Sequence, residues 1–214
     1  MTTILAVIFV LLMPVYVLIQ YRMKDRNTIL PAVLRVFFLI LAVTALPVIW
    51  GRLSGPVLIV SAAVLPIGYA MYIASLLVSG AGFHRRSLLF LGLGTLSGPW
   101  KRAFVSEQLR NIPASSMEEV LFHGLLQTVL NDWGLPVWAC VAAPAVLFVF
   151  AHSHQKKAGR QLLDLLVFAV ALTVYFQATG DLLNCVLVHI VRNGFIVNES
   201  YTYMLSMRKK ERKG

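Results

Sequence analysis

Two adjacent carboxylates, Glu118 and Glu119, and a histidine, His123, lie within an otherwise apolar stretch. An ionisable side chain at bilayer depth costs about 2.5–3.5 kcal/mol even on insertion scales, so such residues mark functional sites by default. Further along, His152, His189, Arg192 and Asn193 are also stranded in apolar runs. Glu119 and His123 are four residues apart, as are Phe148 and His152, and His189 and Asn193. On a helix, each of these pairs shares one face. Phe148 then lays an aromatic floor beneath His152, and His189 and Asn193 project in one direction.

These residue types suit water activation and acyl cleavage. A carboxylate in a dry cavity serves as a general base and later as an acid. A histidine beside it can share the water's proton. A second histidine and an amide NH2 can donate to a developing oxyanion, where the loss of one donor costs about 3–4 kcal/mol in other acyl hydrolases. No serine sits in a nucleophile motif and no cysteine is paired with a histidine, so water is the expected nucleophile. The candidate catalytic residues are Glu118, His152, His189 and Asn193, supported by Glu119, His123 and Phe148.

The elements that must position these groups are membrane helices. The chain has 214 residues, 58% hydrophobic and only 13% charged, with mean hydropathy +0.77. A soluble domain is about 25% charged. The apolar runs are long and continuous, which excludes the alternating strands of a barrel. We expect an all-α, polytopic transmembrane bundle of seven to eight spans forming a single domain over residues 1–214. The runs cover residues 3–20, 29–50, 57–79, about 113–130, 135–152 and 161–178, with a last one starting near Leu182. Residues 87–100 are too short to span comfortably and are broken by Gly92, Gly94 and Gly98, so they read as a re-entrant or interfacial helix. Lys101–Arg110 reads as a surface helix. Pro113 is expected to restart the helix, with Ser115 or Ser116 as N-cap, placing Glu118 and Glu119 where the helix dipole favours negative charge. Asn131–Gly134 and Thr179–Asp181 read as turns.

The net charge of +10 comes mainly from short loops and a tail: Arg22, Lys24 and Arg26, then Arg52 alone, then Arg85 and Arg86 with Lys101, Arg102 and Arg110 beyond them, then Lys156, Lys157 and Arg160, then Arg208–Lys213. That alternation is the positive-inside pattern. It argues for contact with membrane lipid rather than nucleic acid, and for seven spans with the C-terminus in the cytoplasm. In this topology Glu118, His152, His189 and Asn193 fall in the cytoplasmic half of the bilayer. Cys140 and Cys185 sit in apolar runs and form neither a disulfide framework nor a metal motif.

Glu118-Glu119-x-x-x-His123, Phe148-x-x-x-His152 and His189-x-x-x-Asn193 resemble, in order, the motifs EExxxR, FxxxH and HxxxN/D. These mark the CAAX prenyl protease and bacteriocin-processing (CPBP, or Abi) family of intramembrane glutamic endopeptidases, which includes the Ras-converting enzyme. The resemblance covers about residues 114–197. It implies a bundle of about eight helices, open to the cytosol or the bilayer. It also implies that Glu118 and His152 activate water, that His189 and Asn193 form the oxyanion hole, and that neither metal nor cofactor is needed. His123 stands where the family has arginine. That departure points away from the prenyl-protein substrate and toward a divergent bacterial branch in the inner membrane, acting on a membrane-tethered peptide such as a C-terminal sorting tail. Two alternatives accompany this reading. One is a zinc peptidase with Glu118, His152 and His189 as ligands, against which the chain lacks HExxH. The other is a non-catalytic scaffold or immunity protein of the same fold.

Overall fold

The computed structural model describes residues 1–22, 30–50, 64–79, 99–152 and 159–211, and among them every regular element is helical. In chain order these are α1 (Thr2–Arg22), α2 (Leu30–Trp50), α3 (Val64–Ser79) and α4 (Pro99–Glu119). A π-helical segment (Val120–Gln127) follows, then α5 (Thr128–Asp132), α6 (Val137–His152), α7 (Gly159–Thr179) and α8 (Leu182–Glu211). The re-entrant element expected over 87–100 falls outside the described residues except at its last two positions. So do the basic loops after α1, α3 and α6, and the start of the third apolar run.

Among the described residues two helices, Thr2–Ile19 within α1 and Gly159–Thr179, are long and apolar enough to cross a bilayer. Shorter apolar helices run over Val36–Pro47, Val64–Val78 and Val137–His152. In α1, Ala6, Phe9, Met13 and Val17 are buried at spacings of three and four. Ile4, Leu11 and Leu18 are exposed at spacings of seven on the other face. Both faces are apolar, so the helix has an inside but no polar outside, as a lipid-facing span requires.

The helices sort into two compact units, Met1–Val60 with Met117–Cys185, and Ser61–Ser116 with Val186–Gly214. In the first unit, α6 packs on α7 and α1 on α2, and the π segment touches α1, α2, α6 and α7. Aromatic edges organise this core. Phe122 of the π segment meets Phe9 at 5.1 Å and Phe148 at 5.3 Å between ring centroids, both near-perpendicular. Phe9 also meets Phe38 at 6.0 Å.

In the second unit, Phe195 of α8 stacks on Tyr72 of α3 at 5.3 Å and meets Tyr69 edge-on at 5.1 Å. Gly68 sets the approach of these two helices, since a Cβ there would lie 2.6 Å from Val191 Cγ1 and 3.2 Å from the Val188 carbonyl oxygen. From α4, Gln108 and Asn111 donate to the carbonyls of Gly194 and Ile190, at 3.0 and 2.9 Å.

Several boundaries follow from local chemistry. Gly134 and Gly180 take positive φ, 70° and 67°, at the turns expected after α5 and α7. Asp181 accepts from the Asn184 backbone N–H at 3.0 Å and so caps α8.

One boundary is corrected. Pro113 does not restart a helix but lies inside α4, which runs unbroken from Pro99 to Glu119. Glu118 and Glu119 therefore sit at the C-terminal end of α4, without the dipole stabilisation of a first turn. Proline removes one intrahelical hydrogen bond, but Pro113 is on an exposed face, and Ser116 Oγ donates to the Ile112 carbonyl at 2.8 Å one turn on.

Candidate functional site

In the first unit, α4 ends and the π segment begins between Glu119 and Val120. Single π turns inside α-helices concentrate at functional sites, and all eight residues of this segment are buried. The two carboxylates at its entrance have different surroundings. Glu118 and His152 keep 22% and 16% of their side-chain surface, whereas Glu119 and His123 keep 0% and 2%. One pair is reachable from outside and the other is sealed.

His152 Nε2 lies 3.6 Å from Glu118 Oε1. Its Nδ1 lies 2.8 Å from the Phe148 carbonyl oxygen. A carbonyl only accepts, so Nδ1 carries a proton and donates it, and in the neutral ring the lone pair is then on Nε2. The Phe148 ring lies against the imidazole at 4.5 Å, tilted 33°, and is itself held by Phe122 and by Phe168 at 6.1 Å. The aromatic floor expected from the spacing is present.

The sealed pair is closer, with His123 Nδ1 2.6 Å from Glu119 Oε2. The contact is off the line of an aligned hydrogen bond, so it holds as an ion-pair contact in a dry setting. His123 Nε2 reaches Thr173 Oγ1 at 3.1 Å. A polar ladder continues from there. Gln127 Nε2 donates to the Thr173 carbonyl and to Gln177 Oε1, both at 2.9 Å, and Gln177 and Asn131 exchange amide hydrogen bonds at 2.9 and 3.1 Å.

In the second unit, α8 carries His189 and Asn193. His189 is 1% exposed and Asn193 is half-buried. Asn193 Nδ2 donates to Ser115 Oγ at 3.3 Å, and its Oδ1 accepts from Arg192 Nη1 at 3.2 Å. Arg192, 3% exposed, also donates through Nε and Nη2 to Ser75 Oγ at 3.1 and 2.9 Å.

The structure thus joins Glu118 to His152, Glu119 to His123 and Phe148 to His152 in the first unit, and gives His189 and Asn193 their own surroundings in the second. Sequence reasoning missed Thr173, Gln127, Gln177 and Asn131, and also Asn111, Ser115 and Ser75. The spacing rule it used would have found most of them. His123, Gln127 and Asn131 run at intervals of four, as do Thr173 and Gln177, and Asn111 and Ser115. Among the described residues, no three His, Cys, Asp or Glu side chains gather as a metal site.

Residues 108–195 match the family model described as type II CAAX prenyl endopeptidase Rce1-like. This stretch is similar to the Rce1-like CAAX proteases. The matched residues contain all three motif pairs, from Glu118 to Asn193. The likeness is to proteases, hydrolases of a membrane-embedded family. No curated protein and no solved structure matches the chain.

Proposed function

We propose that the chain is a multi-pass intramembrane endopeptidase that cuts a membrane-tethered peptide or protein with water activated by Glu118 and His152. The observation that carries this reading is the Glu118–His152 pair. Its 3.6 Å separation is wider than a direct hydrogen bond, and one water molecule can touch both groups. The Phe148 carbonyl holds the Nδ1 proton, so Nε2 is oriented to accept from that water.

The reaction is then balanced as follows. Glu118 takes a proton from the water as its oxygen bonds to the scissile carbonyl carbon, and the C=O π electrons move onto oxygen. His189 and Asn193, assigned by the family motif, donate to that oxyanion. Collapse breaks the C–N bond, and the proton passes from Glu118 to the departing amine. No step draws on a metal or cofactor.

The substrates we propose are lipid-anchored or membrane-tethered segments, including C-terminal sorting tails, in a bacterial inner membrane with the C-terminus of this protein in the cytoplasm. The first probe is a farnesylated CAAX peptide with a fluorophore and quencher, presented in proteoliposomes beside its unprenylated twin. Wild type is expected to cut at least one of them. Glu118→Gln at equal protein level is expected to lower kcat by 10³-fold or more, the scale of losing an essential base. Undiminished cleavage by Glu118→Gln would remove the glutamate from the mechanism. Cleavage that stops on exhaustive chelation would replace this mechanism with a metal-dependent one.

A further inference from the structure

The amide of Asn193 is held from both of its ends, and the chemistry of the partners leaves only one orientation. Asn111 Nδ2 donates to the Ile190 carbonyl at 2.9 Å. A carbonyl cannot donate, so this fixes the Asn111 amide and turns its Oδ1 to Ser115. Ser115 Oγ gives its one proton to that Oδ1 at 2.9 Å. The hydroxyl can then only accept, and it accepts from Asn193 Nδ2 at 3.3 Å. On the other side, the Arg192 guanidinium has no acceptor atom, so the Asn193 atom facing its Nη1 must be Oδ1. A flipped Asn193 would set NH2 against the guanidinium and a carbonyl against a spent hydroxyl.

The chain is anchored beyond Arg192 as well, because the Ser75 hydroxyl that receives Nε and Nη2 gives its own proton to the Met71 carbonyl at 3.0 Å. Arg192, Ser115 and Ser75 are all 5% exposed or less, and Asn111 is 9% exposed, so the anchoring side chains themselves are shielded from water. Every one of these hydrogen bonds lies within the second unit.

We infer that Arg192, Ser115 and Asn111 are positioning residues that hold the Asn193 amide as a preset donor, with one N–H committed to Ser115 and the other kept for the oxyanion. This rests on the peptidase reading above. An oxyanion donor is effective when it is already oriented before charge develops, because no reorganisation is then needed in the transition state. The two anchors supply that orientation from opposite ends of the same amide.

The test is a double-mutant cycle on cleavage of the farnesylated CAAX peptide in proteoliposomes, with kcat and KM read separately. Asn193→Ala is expected to lower kcat by about 10²–10³-fold. Ser115→Ala is expected to lower kcat on the order of 10-fold with KM unchanged, the pattern of an interaction made only in the transition state. In the Asn193→Ala background, Ser115→Ala is expected to cost nothing further, because its effect passes through the missing amide. Ser115→Thr, which keeps the hydroxyl, is expected to retain wild-type kcat.

A Ser115→Ala variant with unchanged kcat, or one that loses the same factor in both backgrounds, overturns the inference and leaves the peptidase reading standing. If Ser115→Ala does not accumulate in the membrane, Arg192→Lys is taken through the same cycle with the same expected outcomes. Wild type that cuts neither peptide overturns the peptidase reading and this inference with it.

Discussion

His152 and His123 are both one helical turn from their partners, yet their neighbours give their protons opposite places. His152 gives its Nδ1 proton to the Phe148 carbonyl and turns a lone pair toward Glu118. His123 does the reverse. Thr173 Oγ1 donates its only proton to the Ala169 carbonyl at 2.6 Å, so it can only accept from His123 Nε2. Nδ1 then faces Glu119 Oε2 at 2.6 Å, where two bare lone pairs would repel. A pair that shares one proton is neutral overall whichever atom carries it. The arginine of the resembling motif opposite a glutamate would also sum to zero, which is how histidine can occupy that position without leaving a net charge in a fully buried place. The argument makes Thr173 a structural partner. Thr173→Val leaves the His123 Nε2–H without an acceptor, a loss of about 1–3 kcal/mol for a buried unsatisfied donor. Thermal unfolding of the detergent-purified protein is expected to shift down for Thr173→Val and to stay near wild type for Thr173→Ser. Equal midpoints for all three proteins would show that Thr173 does not hold the histidine.

At the scale of elements, the helix ends were legible where a special backbone conformation marks them, at Gly134 and Gly180, and where Asp181 caps α8. The motif pairs were legible because an i,i+4 spacing survives any helix packing. Four features were not. Pro113 looked like a helix start, since proline favours the first turn, but it lies on an exposed face that tolerates a missing bond. The π segment carries no sequence signature, because its polar His123 and Gln127 stand four apart, a spacing that an ordinary α-helix shares and that hides it. The low contrast between the two faces of α1 hid its packing face in the same way. The contact of α3 with α8 was also invisible, though it can be tested at one atom. A Cβ on Gly68 would meet Val191 Cγ1 at 2.6 Å, Val191 Cβ at 2.8 Å and the Val188 carbonyl at 3.2 Å. Gly68→Ala is expected to destabilise by about 1–3 kcal/mol, the usual cost of overpacking. Trimming the neighbour with Val191→Ala is not expected to restore stability, because its Cβ and the Val188 carbonyl remain in the way. Full rescue by Val191→Ala in a thermal melt would show that only the side-chain tip was obstructive.

At the scale of the whole molecule, surface character and charge distribution carry one consistent meaning. The exposed faces of α1, α2, α6 and α7 carry Leu11, Val43, Trp138 and Val174, side chains that water would not tolerate in such number and that lipid solvates. Apart from Arg35 and Arg192, the Lys and Arg residues lie between and after the apolar runs. Lys and Arg near helix ends resist translocation, so the segments that hold them stay on the cytoplasmic side. The turn Asn131–Gly134 holds an aspartate and no cation, whereas Lys156, Lys157 and Arg160 follow α6 and Arg208–Lys213 end the chain. These segments should therefore lie on opposite sides of the bilayer, since α6 alone separates the turn from the first basic group. A fluorescent protein fused after Gly214 is expected to light up, as it folds only in the cytoplasm. Alkaline phosphatase fused after Trp133 is expected to be active, as it needs the oxidising side. The two reporters exchanged between these sites should both be silent. Activity of the phosphatase at Gly214 would reverse the orientation and place the Glu118–His152 pair, at the end of α6 beside its basic loop, in the outer half of the membrane. A substrate tail would then have to be offered from outside the cell, and peptides added to right-side-out vesicles should be cut without permeabilisation. With the C-terminus in the cytoplasm, the same peptides should be cut only in inverted vesicles.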